Sequence, residues 1–237
     1  MFPIRDDTPR YSTPYVTYFI IALNVVGFLF ELSLGLNTRA FKGLVYQFGV
    51  VPRHFELALS GASSYSLAGL SLTVLTSMFL HGGWLHIIGN MWFLWIFGDN
   101  VEDYLGHLKY LLFYLVSGCA AAIAYILLDA SSNQPTIGAS GAIAGVMGAY
   151  FVLYPRARVL TLVFLIVFVT FWWLPAWVFL GYWFLLQFLS GTATSLGGAS
   201  QNTGGIAFWA HVGGFVAGIL LIKLLPERPR RYRYASW

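Results

Sequence analysis

Charge is the scarcest thing in this chain. Only 9% of its 237 residues are charged, while 58% are hydrophobic and the mean hydropathy is +0.72. An ordinary soluble domain carries about 25% charge. So thin a polar surface excludes a water-soluble fold and leaves a polytopic membrane protein, whose length suits one compact helical bundle over residues 1–237. Cysteine is nearly missing too. Cys119 stands alone within an apolar run, which excludes an intrachain disulfide and leaves the redox compartment open. The first ten residues are polar and the apolar stretch after them is too long for a signal h-region, so no cleavable leader is expected.

Other absences bear on chemistry. His81 and His86 are wrongly spaced for a His-Glu-x-x-His metal motif and lack its glutamate, so no metal and no cofactor are expected. An aspartyl protease needs two buried acids from different helices. Asp99 and Asp103 fall at the inner boundary without such a partner, and Glu31 and Asp129 fall at outer helix ends, where hydration is easy. Inverted repeats and paired broken helices, the marks of many transporters, are missing as well. The net charge of +4 does not point to nucleic acid, because the basic residues mostly flank apolar spans.

What is present is length of apolar sequence. A hydrocarbon core of ~30 Å needs about 20 apolar residues per helix. Stretches near 15–34, 77–97, 108–128, 138–154, 174–191 and 206–225 meet or approach this, predicting an all-α bundle of six transmembrane helices. The fourth stretch covers only ~26 Å at 1.5 Å per residue, so its first turn should begin below the membrane surface. With the N-terminus inside, Arg5, Arg10, Lys109, Arg156, Arg158, Lys223, Arg228, Arg230, Arg231 and Arg233 lie on the inner side and only Arg39, Lys42 and Arg53 on the outer. That bias predicts cytoplasmic N- and C-termini.

Three connections are unusual. Residues 35–76 form a long first outer loop with aromatics and Gly/Pro breaks, expected to lie partly in the interface. Residues 192–205 are small and polar, equally suited to a lid and to a plain mobile linker. Residues 159–173 are β-branched and aromatic between Pro155 and Pro175. As a seventh span they would carry His211 to the other side of the membrane from Ser140, so they are read as an inner interfacial segment.

Polar side chains in such spans are functional candidates by default. Ser140 opens the fourth span between Gly138 and Gly141, where the backbone can turn tightly and free helix N–H groups can meet an oxyanion. Most membrane serines merely back-bond to their own helix or join two helices. His211 opens the sixth span, with Gly214 and Gly218 forming a small-residue face that matches Gly141, Gly145 and Gly148 of the fourth. If those faces pack, His211 can serve as base to the Ser140 hydroxyl. Alone, it would read as a structural histidine. His86 and Asn90, at i and i+4, share a helix face and can both donate to an oxyanion. His81 lies about 140° around the helix from His86 and is expected to order the outer loop. No carboxylate is placed to complete a triad with His211, so the residues predict a Ser–His dyad.

At this point the chain resembles the rhomboid intramembrane serine proteases, of prokaryotic type, over nearly its whole length. The GxSG motif appears as Gly138-Ala139-Ser140-Gly141, the HxxxN motif as His86 to Asn90 preceded by His81, and AHxxGxxxG as Ala210-His211 with Gly214 and Gly218. The resemblance implies Ser140 as nucleophile, His211 as base, and His86 and Asn90 with the Ser140 N–H as oxyanion partners. It implies an endopeptidase in a multi-pass cell (inner) membrane that cleaves transmembrane protein substrates, which enter between the second and fifth helices from the lipid bilayer. The other reading is a catalytically inactive relative that binds transmembrane segments. Two departures stand out. The Trp-Arg pair that many members carry in the first outer loop is missing from residues 70–76. The tyrosine that some members place four residues after the serine is Ala144, so Phe208 or Trp209 is expected to orient His211. Glu102 and Arg156, both at the inner boundary, are expected to pair. Oligomeric state is not legible.

Overall fold

The computed structural model describes residues 1–62, 65–165, 168–196 and 207–228. Most of the 192–205 segment, and Arg230, Arg231 and Arg233, lie outside the described residues. In chain order the elements are strand β1 (Phe2–Asp6), helices α1 (Tyr15–Leu34), α2 (Arg39–Phe48), α3 (Pro52–Leu59), α4 (Leu67–Thr76), α5 (Trp84–Leu105), α6 (His107–Leu128) and α7 (Ser140–Leu153), strands β2 (Arg158–Leu165) and β3 (Phe168–Pro175), and helices α8 (Ala176–Leu196) and α9 (Phe208–Leu224). A 3₁₀ turn, Ser77–Phe79, follows α4.

Among the described residues three helices are long and apolar enough to cross a bilayer: Tyr15–Leu34, His107–Leu128 and Ala176–Ser195. A fourth candidate is the broken pair Leu67–Phe79 and Trp84–Leu105, bent by 83°. Helices α7 and α9 are apolar but shorter, and α7 starts at Ser140 itself. Gly106, with φ +77°, ends α5 and starts α6, and its N–H caps Glu102 O at 2.7 Å. A left-handed turn of this kind reverses the chain without a loop, which only glycine does cheaply.

Helix α7 is the axis of the fold: every residue from Gly141 to Tyr150 is buried. Its small residues let two neighbours approach to backbone contact. A Cβ on Gly145 would fall 2.4 Å from Ser117 Cβ of α6, and one on Gly218 of α9 would fall 1.9 Å from Gly145 O. The matched small-residue faces expected on the fourth and sixth stretches do meet.

The expectation of an all-α protein needs correction. The fold is mostly helical, but β1, β2 and β3 form an antiparallel sheet in that order. The segment 159–173, with its β-branched and aromatic residues, is a hairpin: Val159, Thr161 and Val163 face inward while Phe164, Leu165, Phe168 and Phe171 are exposed. This period of two is the strand signature, masked in sequence by apolar residues on both faces. Asp7 fastens the N-terminal segment to β2, accepting from the Arg158 N–H and Nε, each at 2.7 Å. Partial burial works to raise the Asp7 carboxyl, but these two donors outweigh it and hold it below its ordinary value.

Residues 35–76 are likewise not one plain loop. They fold into α2, α3 and α4, with Thr38 and Pro52 starting the first two. Val50 exchanges backbone hydrogen bonds with Thr136 at 3.0 and 2.8 Å, tying this unit to the chain just ahead of Ser140.

Glu102 does not pair with Arg156. It is fully buried and caps α1 from across the bundle, accepting from the Val16 and Thr17 N–H groups at 2.9 and 2.8 Å, the Thr17 hydroxyl at 2.7 Å and His107 Nδ1 at 2.6 Å. A carboxylate at a helix N-terminus satisfies orphan donors and meets the positive end of the dipole. Glu102→Ala strands the buried Thr17 N–H and hydroxyl at ~1–3 kcal/mol each, and the part-buried Val16 N–H besides. It is therefore expected to destabilise by ~3 kcal/mol or more, seen as a lower thermal midpoint in detergent.

Candidate active site

Helices α5, α7 and α9 run parallel, so their N-terminal turns lie at one end of the bundle. His86, Ser140 and His211 all sit in those turns. The opposite end collects the ion pairs Arg10–Asp99, Arg158–Asp7 and Arg228–Asp103.

His211 Nε2 stands 2.8 Å from Ser140 Oγ. On its other side His211 Nδ1 stands 2.8 Å from Gln187 Oε1 of α8. An amide oxygen only accepts, so Nδ1 carries the proton and Nε2 presents its lone pair to the serine. That tautomer makes the imidazole a base. Among the described residues the hydrogen-bond partners of the His211 ring are Gln187 and Ser140.

The other two expected residues are also here. Gly138 adopts φ +124°, and a Cβ on it would fall 2.6 Å from His86 Nε2 and 3.5 Å from Asn90 Nδ2. Glycine is required both for the left-handed backbone and for this close approach. The Gly82 N–H donates to His86 Nδ1 at 3.3 Å, which leaves the His86 proton on Nε2, aimed at the turn before Ser140. Asn90 Nδ2 is buried and makes no hydrogen bond among the described residues. Within α7 the earliest intrahelical bond is Ile143 N–H to Ala139 O at 3.0 Å, so the N–H groups ahead of it are free for a ligand. Three kinds of donor thus converge beside one hydroxyl.

These groups line a cavity of about 800 Å³ between α5 and α8, together with Phe93 and Trp183. Deeper in the bundle aromatic rings bridge the two helices, with Phe179 of α8 stacked on Phe97 of α5 at 6.2 Å and tilted against Phe93 at 6.4 Å.

Three expectations are overturned. His211 is flanked neither by Phe208 nor by Trp209 in the way proposed from sequence. The ring beside it is Trp183, 5.8 Å away, while Trp209 turns to Ser195 Oγ at 3.0 Å. His81 does not order an exposed loop: it is fully buried, its ring standing edge-on to His86 at 5.1 Å. Glu31 is not hydrated at a helix end but buried, accepting the His81 N–H at 2.9 and 3.1 Å. Glu31 and His81 therefore form the wall behind His86. The residue missed altogether is Gln187. Its signal was present, a lone amide in an otherwise apolar stretch, and such residues face a bundle interior rather than lipid.

Comparison with known proteins identifies the family. Residues 68–228 match the Rhomboid domain. The chain is similar to Rhomboid protein 1, mitochondrial, of Saccharomyces cerevisiae, 29% identical over 171 residues that make up 68% of this chain and 45% of that protein. It is 35% identical to Rhomboid protease GluP of Bacillus subtilis over 140 residues, 57% of this chain and 24% of that one. It is also 29% identical to the Presenilin-associated rhomboid-like protein, mitochondrial, of Bos taurus over 157 residues, 63% of this chain and 37% of that one. The chain thus spans less than half the length of these relatives. With the domain match covering well over half of its residues, the chain belongs to the rhomboid family of integral membrane proteins.

Proposed function

We propose that this protein is a serine endopeptidase that cleaves transmembrane protein substrates within the bilayer, with Ser140 as nucleophile and His211 as base. The observation that carries this reading is the Gln187–His211–Ser140 relay, with both contacts at 2.8 Å and the imidazole held in its basic tautomer. The accompanying assignment is six spans, α1, α5, α6, α7, α8 and α9, with α2 to α4 in the first outer loop, cytoplasmic termini, and a site opening toward the outer face of a cell membrane. The charge bias of the sequence and the gathering of ion pairs at the end away from Ser140 support it.

A substrate helix enters laterally between α5 and α8, where the cavity lies. It must unwind locally, because an intact helix hides its carbonyl carbons, so small or helix-breaking residues near the scissile bond are favoured. Ser140 Oγ attacks the carbonyl carbon while its proton passes to His211 Nε2. The oxyanion accepts hydrogen bonds from the Ser140 N–H, His86 Nε2 and Asn90 Nδ2. Collapse expels the amine, which takes the proton from His211, and leaves an ester on Ser140. Water, deprotonated by His211, then hydrolyses that ester.

The test is labelling of the purified protein with a fluorophosphonate, followed by peptide mapping. The adduct is expected on Ser140, and an unlabelled serine in folded protein would return the alternative of an inactive binder. Gln187 is a positioning residue, testable separately. Gln187→Leu removes the acceptor that selects the tautomer and is expected to lower kcat by about 10²-fold, the scale of a small misplacement of a catalytic group. Gln187→Glu, which keeps an acceptor oxygen, should recover most of the loss and change the pH profile of kcat.

A further inference from the structure

We infer that the three-stranded sheet is a wedge seated in the membrane leaflet on the far side from Ser140, and that its charged end, Arg5 and Arg158 against Trp173, holds the headgroup of an anionic phospholipid. This inference is independent of the catalytic reading, since it uses none of the residues around Ser140.

Depth comes first. The Arg10–Asp99, Arg158–Asp7 and Arg228–Asp103 pairs mark a polar belt around the far end of the bundle. Charges of both signs at one level place that belt among headgroups rather than acyl chains. At the belt, the Asn100 amide of α5 donates to Asp6 Oδ2 at 3.0 Å. Eight residues along the same helix, Trp92 Nε1 donates to Pro3 O at 2.7 Å, and Phe2 stacks on the Trp92 ring at 5.8 Å. Eight helical residues rise about 12 Å. Strand β1 thus climbs from the belt into the apolar zone, and β2 and β3, paired alongside it, extend past Phe2 to Leu165 and Phe168. A rise of this size reaches the first acyl carbons, the depth at which interfacial elements settle. Water still reaches that level, so the open edge of β3 need not be paired as it would at the bilayer centre.

The outward face agrees with that depth. Cross-strand register puts Leu160, Leu162 and Phe164 of β2 on one face with Val169, Phe171 and Trp173 of β3. Phe164, Val169 and Phe171 are 63%, 58% and 59% exposed, and Phe168 at the tip is 72% exposed. A contiguous apolar face of this kind in water would be an aggregation surface; against acyl chains it is at rest. Polarity enters only at the belt end, where the Arg5 and Arg158 guanidiniums lie 5.6 and 5.7 Å from the centre of the Trp173 ring. Basic residues and tryptophan at the edge, with aliphatic and phenyl groups beyond, is the order found across a membrane interface. Asp6, the neighbour of Arg5 on β1, turns inward to accept from the Tyr150 hydroxyl and so does not offset the outward charge. Arg158 is matched by Asp7, whereas Arg5 makes no ion pair among the described residues. The surplus positive charge, beside an amphipathic indole at headgroup level, is complementary to the phosphodiester of an anionic lipid.

The experiment uses the full chain in nanodiscs, with phosphatidylcholine alone or mixed equally with phosphatidylglycerol. Lipids of one type at a time carry bromine near the headgroup end of the acyl chain. The Trp173 signal is the difference in fluorescence between the protein and its Trp173→Phe variant. Brominated phosphatidylglycerol is expected to quench that signal at least 3-fold more than brominated phosphatidylcholine at equal mole fraction. Arg5→Gln should abolish the preference and Arg5→Lys should keep it, with circular dichroism and size-exclusion profiles reporting that each variant is folded. Equal quenching by both lipids, or a preference that survives Arg5→Gln, would overturn the headgroup site. Depth is read separately from a nitroxide on Phe168→Cys in a Cys119→Ser background. Protection from an aqueous nickel relaxant supports the wedge, and free access to it rejects the wedge.

Discussion

Ser140→Ala is expected to abolish cleavage of a model transmembrane substrate, lowering turnover by on the order of 10⁴-fold or more, without unfolding the protein. The size follows from what the hydroxyl does. In the proposed mechanism it is the only atom that forms a bond to the substrate, and removing one member of a hydroxyl–imidazole unit costs nearly as much as removing both. The fold should not notice, because Ser140 Oγ has His211 Nε2 as its hydrogen-bond partner and lies half-buried against the cavity. His211→Ala should fall to the same residual rate, and the double variant should be no slower than either single one. Gel-based cleavage in proteoliposomes measures all three. Turnover by Ser140→Ala above one part in a hundred of wild type would remove the serine mechanism.

The second large effect comes from a residue that touches no substrate. Gly218→Ala is expected to lower kcat by about 10²-fold or more and to lower the thermal midpoint as well. The added Cβ would stand 1.9 Å from Gly145 O, a backbone atom that cannot swing aside. Helices α7 and α9 must therefore separate by over an ångström, and they carry Ser140 and His211, the two halves of the proposed dyad. The 2.8 Å contact between Ser140 Oγ and His211 Nε2 then opens beyond hydrogen-bond reach. Val216→Ala, on the exposed flank of α9, is the control and should leave turnover near wild type. If Gly218→Ala folds and cleaves normally, the close helix contact is not what sets the dyad geometry.

Much of the site was legible because membrane sequences are economical with polar residues. In a span where each hydrogen-bonding side chain is costly, Ser140, His86, Asn90 and His211 stand out against their neighbours. The glycines of the fourth and sixth stretches likewise announced a close helix pair. Gln187 shows the limit of that reading. An amide deep in an apolar run signals an interior role, but only the packing of α8 against α9 reveals that it faces His211 Nδ1. Trp183 is similar: two other rings were nearer to His211 in sequence, and the one that reaches it comes from another helix.

The errors share one cause. Glu102, Glu31 and His81 were placed by their position along a helix, at an end or near a surface, where water is the default partner. Each is instead fully buried and satisfied or flanked by an element distant in sequence. The sheet was missed for a related reason. Its apolar residues point both inward and outward, so alternation of hydrophobic and polar residues, the usual mark of a strand, was erased by the lipid-like character of both sides.

By itself, then, the amino-acid sequence determined a membrane protein with a serine, two histidines and an asparagine at one depth, and two glycine-faced helices able to meet. These follow from local composition and helical periodicity, which hold whatever surrounds them. The tertiary structure alone decided which imidazole nitrogen faces the serine, that Glu102 caps α1, and that the N-terminus joins the hairpin as a third strand. Those outcomes depend on side-chain and backbone groups from remote segments meeting within hydrogen-bond distance, and no local pattern encodes such a meeting.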